Sequence, residues 1–271
     1  MNIRQALEER KRPLVLDGGF GTMVQRYGLK EEDFRGYRYR DIPGMLLGNN
    51  EMLNLTRPDV VGDIYRAYVD AGADILTANT FSANSISQAD YNCQHLVAEM
   101  NREAVRLARK AFADSGREGF VIATVGPTNK SLSISPDMND PACRAITFDQ
   151  LAEAYIGQME VLAQEGVDAI LLETVFDTLK AKAGIYAMQQ VMERMGRRLP
   201  IMLSVTISDA AGRTLSGQTL DAFLISVSHA PLLSIGLNCS FGAGQMLPVL
   251  RNLHRMLTDR AGESGQRPFI S

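Results

Sequence analysis

The sequence predicts an α/β protein of the (β/α)₈-barrel type that is cut short after about six to seven strand–helix units. Short apolar runs alternate along the chain with longer stretches of helical periodicity. The runs are continuously apolar rather than alternating, which is typical of strands covered on both faces. The later units also follow one another at intervals of about thirty residues, the length of one unit in a barrel of about 250 residues.

Each predicted strand is followed by a predicted helix. The strands are predicted at 13–16, 74–78, 120–125, 168–172, 200–205 and 232–237, and 267–271 resembles the start of a seventh. The helices are predicted at 60–71, 90–114, 148–165, 179–195, 220–228 and 245–257. A short amphipathic helix, with Ile3 and Leu7 on one face, precedes them.

The boundaries of these elements have recognisable signals. Thr147, with Gln150 three residues later, provides a capping box for the helix that follows. Gly72 and Gly166 each end a helical stretch, and the chain then enters a strand. The two sequences at these places are similar, AGADILTANT and EGVDAILLET. Short helix-to-strand connections of this kind predict βα units and a parallel sheet.

An open, doubly wound sheet is the rival architecture, since it also tolerates six or seven strands. The regular spacing of the later units favours the barrel. Two connections, 28–57 and 127–147, are long. Long ordered excursions of a barrel usually lie around its catalytic end, so we expect these two to lie there.

The composition excludes several classes of protein. The 271 residues contain 28 Lys and Arg against 31 Asp and Glu, a net charge of −3, which gives no reason to expect nucleic acid or a membrane surface as partner. No run approaches the length of a membrane span, and the first ten residues do not form a signal peptide. The three cysteines are far apart and odd in number, which favours a reducing compartment. We therefore predict a cytoplasmic enzyme.

In a parallel barrel, residues that follow the strands project from one end of the sheet. The candidates are Asp17, Gly18, Gly19, Asn79, Glu173, Asn238 and Cys239. Glu173 carries the strongest signal, because a carboxylate that ends a buried strand is costly unless it is paired or faces a ligand.

The other candidates have simpler structural interpretations that the sequence leaves open. Asp17 and the two glycines after it could form only a turn, and the pattern is neither a dinucleotide-binding fingerprint nor a P-loop. Asn79 and Asn238 could serve as caps for backbone groups. Cys239 could be a small buried apolar residue, as most buried cysteines are.

Several segments resemble the homocysteine S-methyltransferase family. They are 16–23 (LDGGFGTM), 71–81 (AGADILTANTF), 171–178 (LLETVFDT) and 236–239 (GLNC). Two more, 125–129 with 133–137 and 208–219, are similar to the N-terminal module of cobalamin-dependent methionine synthases. The resemblance extends over nearly the whole chain.

The resemblance implies a zinc site that activates homocysteine as a thiolate. Cys239 matches the first zinc ligand of the family, and Asp17 and Glu173 would hold the substrate ammonium. Gly18, Gly19 and either Asn79 or Asn238 would orient the substrate. Methylcobalamin and methyltetrahydrofolate, which belong to other modules of such a synthase, would supply the methyl group.

The sequence departs from the family pattern in one respect. The family's adjacent cysteine pair, in a Gly-Gly-Cys-Cys-Gly segment after the eighth strand, is absent from this sequence. We therefore expect residues 1–271 to be one homocysteine-binding barrel domain that lacks its eighth strand and two zinc ligands. Whether Cys143 contributes a ligand stays open. The alternatives are a stand-alone homocysteine methyltransferase with a sulfonium or betaine donor, or a non-catalytic homocysteine-binding fragment.

Overall fold

The computed structural model describes residues 1–9, 12–209, 211–239, 241–264 and 267–271. The chain divides into two compact units, one formed by 1–125 with 156–170 and the other by 126–155 with 171–271. Within the described ranges, every helix is too short or too polar to cross a membrane. Ala210, which belongs to one of the segments that carry the family resemblance, lies outside the described residues.

The first unit contains most of the short helices. Its elements are α1 (Ile3–Glu9), α2 (Phe20–Gln25), α3 (Glu31–Arg35), a 3₁₀ turn (Asn50–Met52), α4 (Leu53–Thr56), α5 (Pro58–Asp70), β1 (Ile75–Ala78), α6 (Ser85–Ala89), a 3₁₀ turn (Gln94–Leu96), α7 (Val97–Ser115) and β2 (Phe120–Val125). Helix α5 packs on α7, and both pack on β1. The core includes Tyr65, Ile64 and Met100, all fully buried.

Two elements pass from one unit to the other, and the rest belong to the second unit. The shared elements are α8 (Phe148–Gln164) and β3 (Ala169–Val175). The second unit continues with α9 (Thr178–Met195), β4 (Ile201–Val205), α10 (Leu220–Val227), β5 (Leu232–Leu237), α11 (Ala243–Ser264) and β6 (Phe269–Ile270). Helix α9 packs on α10, and α11 packs on β5.

The six strands follow one another in the sheet in chain order. β1 pairs with β2, and β4 with β5 and β5 with β6, all in parallel. A doubly wound sheet reverses direction at a switch point, so that strands next to each other in the chain are separated there. The sequential order is therefore that of a barrel-type α/β sheet, and the predicted fold class is confirmed.

Two predicted elements are shorter than expected. The strand predicted at 13–16 is a single parallel bridge between Leu16 and Ile75. Leu16 is 38% exposed, so its apolar character does not reflect burial on both faces. The helix predicted from residue 90 begins only at Val97, because Asn92 adopts a positive φ of 56° and interrupts it.

The long connection 28–57 is partly helical. It contains α3, a 3₁₀ turn and α4, and it buries Phe34 and Leu46. The carboxylate of Glu31 accepts hydrogen bonds from the backbone N–H groups of Leu46 and Leu47 and from the Arg35 guanidinium, which closes the segment on itself. The connection is therefore an ordered part of the first unit.

The helix–Gly–x–Asp–strand motif occurs twice, and its aspartate makes the same pair of hydrogen bonds in both places. The carboxylate of Asp74 accepts a hydrogen bond from the Val15 N–H at 2.9 Å, and the Asp74 N–H donates to the Val15 carbonyl at 2.8 Å. Asp168 makes the same two bonds to Val121, both at 2.8 Å. Each aspartate thus pairs with the beginning of the preceding strand segment and fixes its register.

Loss of either aspartate is expected to destabilise the fold. Asp168→Ala leaves the Val121 N–H without its charged acceptor, and we expect the free energy of unfolding to fall by about 2 kcal/mol. Asp74→Ala is expected to cost more, because Asp74 is more buried and accepts two guanidinium bonds from Arg12, at 2.7 and 2.8 Å, whereas Asp168 pairs with Arg109 at 2.9 Å. Urea denaturation measures both effects.

The matched control is Asp114→Ala on α7. Asp114 is paired with Lys110 at 2.7 Å, but both side chains are largely exposed, so its loss is expected to cost less than about 0.5 kcal/mol. Equal losses for Asp114→Ala and Asp168→Ala would show that the strand-register bonds contribute nothing specific.

Candidate functional site

The predicted site residues belong to both units. Asp17, Gly18, Gly19 and Asn79 lie in the first unit, and Glu173, Asn238 and Cys239 lie in the second. Each set follows the strands of its own unit at their C-terminal ends, except Glu173, which lies inside β3 because that strand extends to Val175.

Asp17 is fixed to the neighbouring strand by its carboxylate. The side chain accepts hydrogen bonds from the Thr77 N–H at 2.8 Å and from the Thr77 hydroxyl at 2.9 Å. Its negative charge adds to burial in raising the pKa of Tyr68. Asp17 is thus oriented by strand β1 as a half-buried anion, and it is more than a turn residue.

The two glycines after Asp17 allow a close approach to α5. A Cβ atom at Gly18 would lie 3.0 Å from the Tyr68 hydroxyl oxygen, so a larger residue there would displace the ring. The Gly19 carbonyl accepts from the same hydroxyl at 3.4 Å, and Gly19 is the residue directly before α2. Both glycines are exposed, which leaves their backbone accessible.

Asn79 belongs to a buried network of amides. Its Nδ2 donates to the Asn50 carbonyl at 2.8 Å and to the Asn54 Oδ1 at 2.9 Å, and its backbone N–H donates to the Tyr65 hydroxyl at 2.8 Å. Both amide hydrogens are therefore used within the chain. The expectation that Asn79 orients the substrate stays a prediction, restricted to its remaining acceptor atom.

Glu173 is a carboxylate without a partner. Among the described residues it has no hydrogen bond and no ion pair, and burial alone raises its pKa to about 7. A half-buried carboxylate without a partner is costly, so an arrangement of this kind indicates a position that a cationic group of a ligand completes.

A second amide network joins the ends of three strands in the second unit. Asn238, directly after β5, donates through Nδ2 to the Thr174 hydroxyl at 2.9 Å and to the Cys239 sulfur at 3.3 Å. Its Oδ1 accepts from the Ser204 hydroxyl at 3.0 Å and the Thr206 hydroxyl at 3.2 Å. The expectation that Asn238 orients the substrate stays a prediction, although all four hydrogen-bonding positions of its amide are used within the chain.

Thr174 and Cys239 adopt left-handed backbone conformations. Their φ values are 57° and 58°, in a region that L residues with a Cβ rarely enter and that costs about 1–3 kcal/mol. Strain of this kind persists only where the surroundings enforce it, and it concentrates at functional sites. Thr174 was not predicted from the sequence, because nothing about a threonine in a β-rich run indicates a positive φ.

The three cysteines differ in their surroundings. Cys239 is exposed, Cys143 is half-buried in the 127–147 connection, and Cys93 is buried. Burial raises the pKa of the Cys93 thiol, which makes it unreactive. Cys239 is thus the exposed thiol, and it lies two residues after the end of β5.

The described residues do not make up a metal centre by themselves. Within those ranges, no three His, Cys, Asp or Glu side chains come close enough together to hold an ion. A structural or catalytic zinc site uses three or four protein ligands, and Cys239 supplies one. The zinc site implied by the resemblance is therefore not formed by the described part of this chain.

A buried lysine and aspartate on α9 also escaped the sequence analysis. The Lys180 ammonium donates to the Thr128 carbonyl at 2.8 Å, and burial lowers its pKa to about 8. The Asp177 carboxylate accepts from the Ser133 hydroxyl at 2.6 Å and caps α9. The two residues hold the connection after β2. Lys180 could have been found from its position beside Ala181 and Gly184 on the apolar face of α9.

Replacement of Glu173 by glutamine is expected to stabilise the ligand-free chain at high pH. The folded chain retains the Glu173 proton up to about pH 7, whereas an unfolded glutamate releases it near pH 4.3. The folded state binds more protons in this interval, so the stability of the wild type falls as the pH rises through it. We expect Glu173→Gln to be more stable by about 3 to 4 kcal/mol at pH 8 and by little at pH 4.5.

Urea denaturation at a series of pH values measures this difference. Glu193→Gln, at an exposed position of α9, is the matched control and is expected to show no pH-dependent difference from the wild type. A stability difference for Glu173→Gln that is the same at pH 4.5 and pH 8 would contradict the assignment of the pKa.

Comparison with known proteins agrees with the segments that carry the resemblance. A family model described as homocysteine S-methyltransferase matches residues 14–266. The fold is similar to crystal structures of the homocysteine methyltransferase MmuM from Escherichia coli. For the oxidised form, identity is 19% over 94% of this chain and 82% of that chain, with a TM-score of 0.72. For the metallated form, identity is 18% over 98% and 93%, with a TM-score of 0.71. The chain belongs to the homocysteine S-methyltransferase family.

Proposed function

We propose that this chain binds homocysteine and that a methyl group is transferred to the homocysteine sulfur to give methionine. The observation that carries the proposal is the Glu173 carboxylate, which is half-buried and has no partner among the described residues. The ammonium of an amino acid supplies the positive charge and the hydrogen-bond donors that this carboxylate lacks. The family membership supports the sulfur of homocysteine as the methyl acceptor.

The remaining substrate contacts are proposed from the family resemblance, residue by residue. Asp17 is a second carboxylate for the substrate ammonium. The hydrogen bonds from Thr77 orient this carboxylate and do not neutralise its charge. The exposed backbone of Gly18 and Gly19 is available for the substrate, as is the acceptor atom of Asn79.

Cys239 is proposed as one ligand of the zinc ion that the family resemblance implies. Its thiol is exposed and lies two residues after the end of β5, and a thiolate is a preferred zinc ligand. The described residues do not complete such a site. The proposed function therefore depends on the residues of this chain that bind the amino acid.

The methyl transfer itself is a displacement at carbon. A lone pair of the homocysteine sulfur forms the new S–C bond, the bond between the methyl group and its donor breaks, and the bonding pair leaves with the donor. The thiol proton of homocysteine is released to solvent. The chain's part is to hold the amino acid through its ammonium so that the sulfur alone is free to move toward the methyl group.

The methyl donor is proposed to be methylcobalamin, recharged from methyltetrahydrofolate, on modules of a methionine synthase. The supporting observations are the segments 125–129 with 133–137, and 208–219. Asp177 and Lys180 hold the first of them, and an antiparallel bridge between Arg213 and Thr219 closes the second. The alternative is a stand-alone enzyme with a sulfonium or betaine donor.

Binding of L-methionine, the reaction product, tests the proposed amino-acid site without the chemistry of a thiol. The methionine ammonium stays charged between pH 5.5 and pH 8, whereas Glu173 loses its proton near pH 7. We expect the affinity to rise about tenfold per pH unit below pH 7 and to level off above it. Isothermal titration calorimetry measures this profile.

Two variants separate the proposed contact from a general effect of charge. Glu173→Gln is expected to weaken methionine binding at pH 8 at least about tenfold and to remove the pH dependence. Glu193→Gln should reproduce the wild type. The proposed function fails if the wild type does not bind methionine at pH 8, or if binding is independent of pH.

The methyl donor can be identified by direct competition. In a methionine synthase that contains this chain together with the remaining zinc ligands, and with zinc and homocysteine present, we expect methylcobalamin to be demethylated, which its absorbance reports, and a methyl sulfonium donor to be left unchanged. Cys239→Ala is expected to lower the rate at least about a hundredfold if Cys239 is a zinc ligand. Cys143→Ala is the matched control, and its rate should be unchanged. Transfer from the sulfonium donor alone would establish the alternative enzyme.

A further inference from the structure

Two strained residues flank the polar groups of the second unit. Thr174 directly follows Glu173, and Cys239 directly follows Asn238, and both have a positive φ. The φ angle of a residue sets the orientation of the peptide group that precedes it. The direction in which the Glu173 side chain projects from β3 therefore depends on the backbone of Thr174. In the same way, the direction of the Asn238 side chain depends on the backbone of Cys239.

One side-chain amide holds both strained residues. The two hydrogens of Asn238 Nδ2 are donated to the Thr174 hydroxyl at 2.9 Å and the Cys239 sulfur at 3.3 Å. The Asn238 Oδ1 is held in turn by the Ser204 hydroxyl, and Ser204 is 7% exposed. The orientation of the amide is therefore determined by the end of β4, and the amide transmits it to both strained residues.

The backbone supports the same arrangement. The Thr206 N–H donates to the Val175 carbonyl at 3.0 Å, and the Asn238 N–H donates to the Val205 carbonyl at 3.1 Å. These bonds continue the pairing of the strands past their ends. The strand ends are thus rigid enough for one amide to determine two side-chain directions.

We propose that Asn238 and Thr174 are positioning residues, which hold Glu173 and Cys239 in their working directions without touching the substrate themselves. This inference rests on the proposed function, since Glu173 is taken as the ammonium contact. An amide with all four positions engaged inside the chain has no hydrogen bond left for a substrate. The hydroxyl of Thr174 accepts a hydrogen bond from Asn238. This bond keeps the β-branched Thr174 in the left-handed conformation that it would otherwise avoid.

Substitutions at Thr174 separate positioning from stability. Thr174→Val keeps the shape and removes the acceptor, and we expect methionine binding at pH 8 to weaken about tenfold. Thr174→Ser, which keeps the hydroxyl, should restore most of the affinity. Thr258→Val, the same change at an exposed position of α11, should leave binding as in the wild type.

Thr174→Gly provides the test if Thr174→Val does not fold. Glycine enters the left-handed region without strain, so this variant should be at least as stable as the wild type. Because it lacks the hydroxyl, it should still bind methionine about tenfold more weakly. A merely structural role would instead give a stable variant with wild-type affinity.

The side-chain amide of Asn238 gives an independent readout by ¹H–¹⁵N NMR spectroscopy. Thr174→Val should shift one of its two proton resonances, and Cys239→Ala should shift the other. The inference is overturned if the wild type binds methionine while Thr174→Val and Thr174→Gly bind it equally well, or if neither resonance moves. Failure of the wild type to bind methionine would count against the proposed function instead, and the NMR result would still decide the positioning role.

Discussion

The register of the parallel strands is the constraint on which the rest of the structure depends. At the beginning of strands, where a parallel sheet leaves N–H groups to be satisfied, Asp74 and Asp168 each bond both backbone groups of the residue opposite. One slip of register would move every side chain to the other face of the sheet. The aspartates therefore also determine which residues reach the opposite ends of the strands, where the functional candidates lie.

The two ends of the strands are satisfied in different ways. At the N-terminal ends, a carboxylate meets its donors directly, as Asp74 does with Val15. At the C-terminal ends of the second unit, neutral amides and hydroxyls bond one another around Asn238, while Glu173 has no described partner. In a barrel-type fold, the first pattern is typical of the stabilising end and the second of the end that binds ligands.

The sequence predicts the strands with continuous apolar runs well, and it fails where the local pattern and the environment disagree. The runs 120–125 and 232–237 coincide with β2 and β5, since all but one residue of each is buried. The run 13–16 looks similar, but it is partly exposed and forms only one bridge. Apolar character alone does not report how many neighbours a strand has.

The candidate site shows the same division. Glu173 was predictable, because a charge at the end of an apolar run is costly wherever the run is buried. The strained backbone of Thr174 and Cys239 was not, since neither is a glycine and φ is set by bonds to residues distant in the chain. The hydrogen bonds that occupy both amide hydrogens of Asn79 and all four positions of the Asn238 amide depend likewise on partners that only the folded chain brings together.

The cost of Glu173 links stability to ligand binding. A free chain at neutral pH must either desolvate the charged carboxylate or retain its proton, and both lower its stability relative to a polar neutral residue. A ligand that brings an ammonium removes this cost and stabilises the folded state in proportion to its occupancy. The strained backbone of Thr174 adds to this loss of stability. The hydrogen bond from the Asn238 amide holds Thr174 in the strained conformation. The same features that weaken the empty site therefore orient it in advance, so that less of the binding energy is lost to ordering the carboxylate when the substrate arrives.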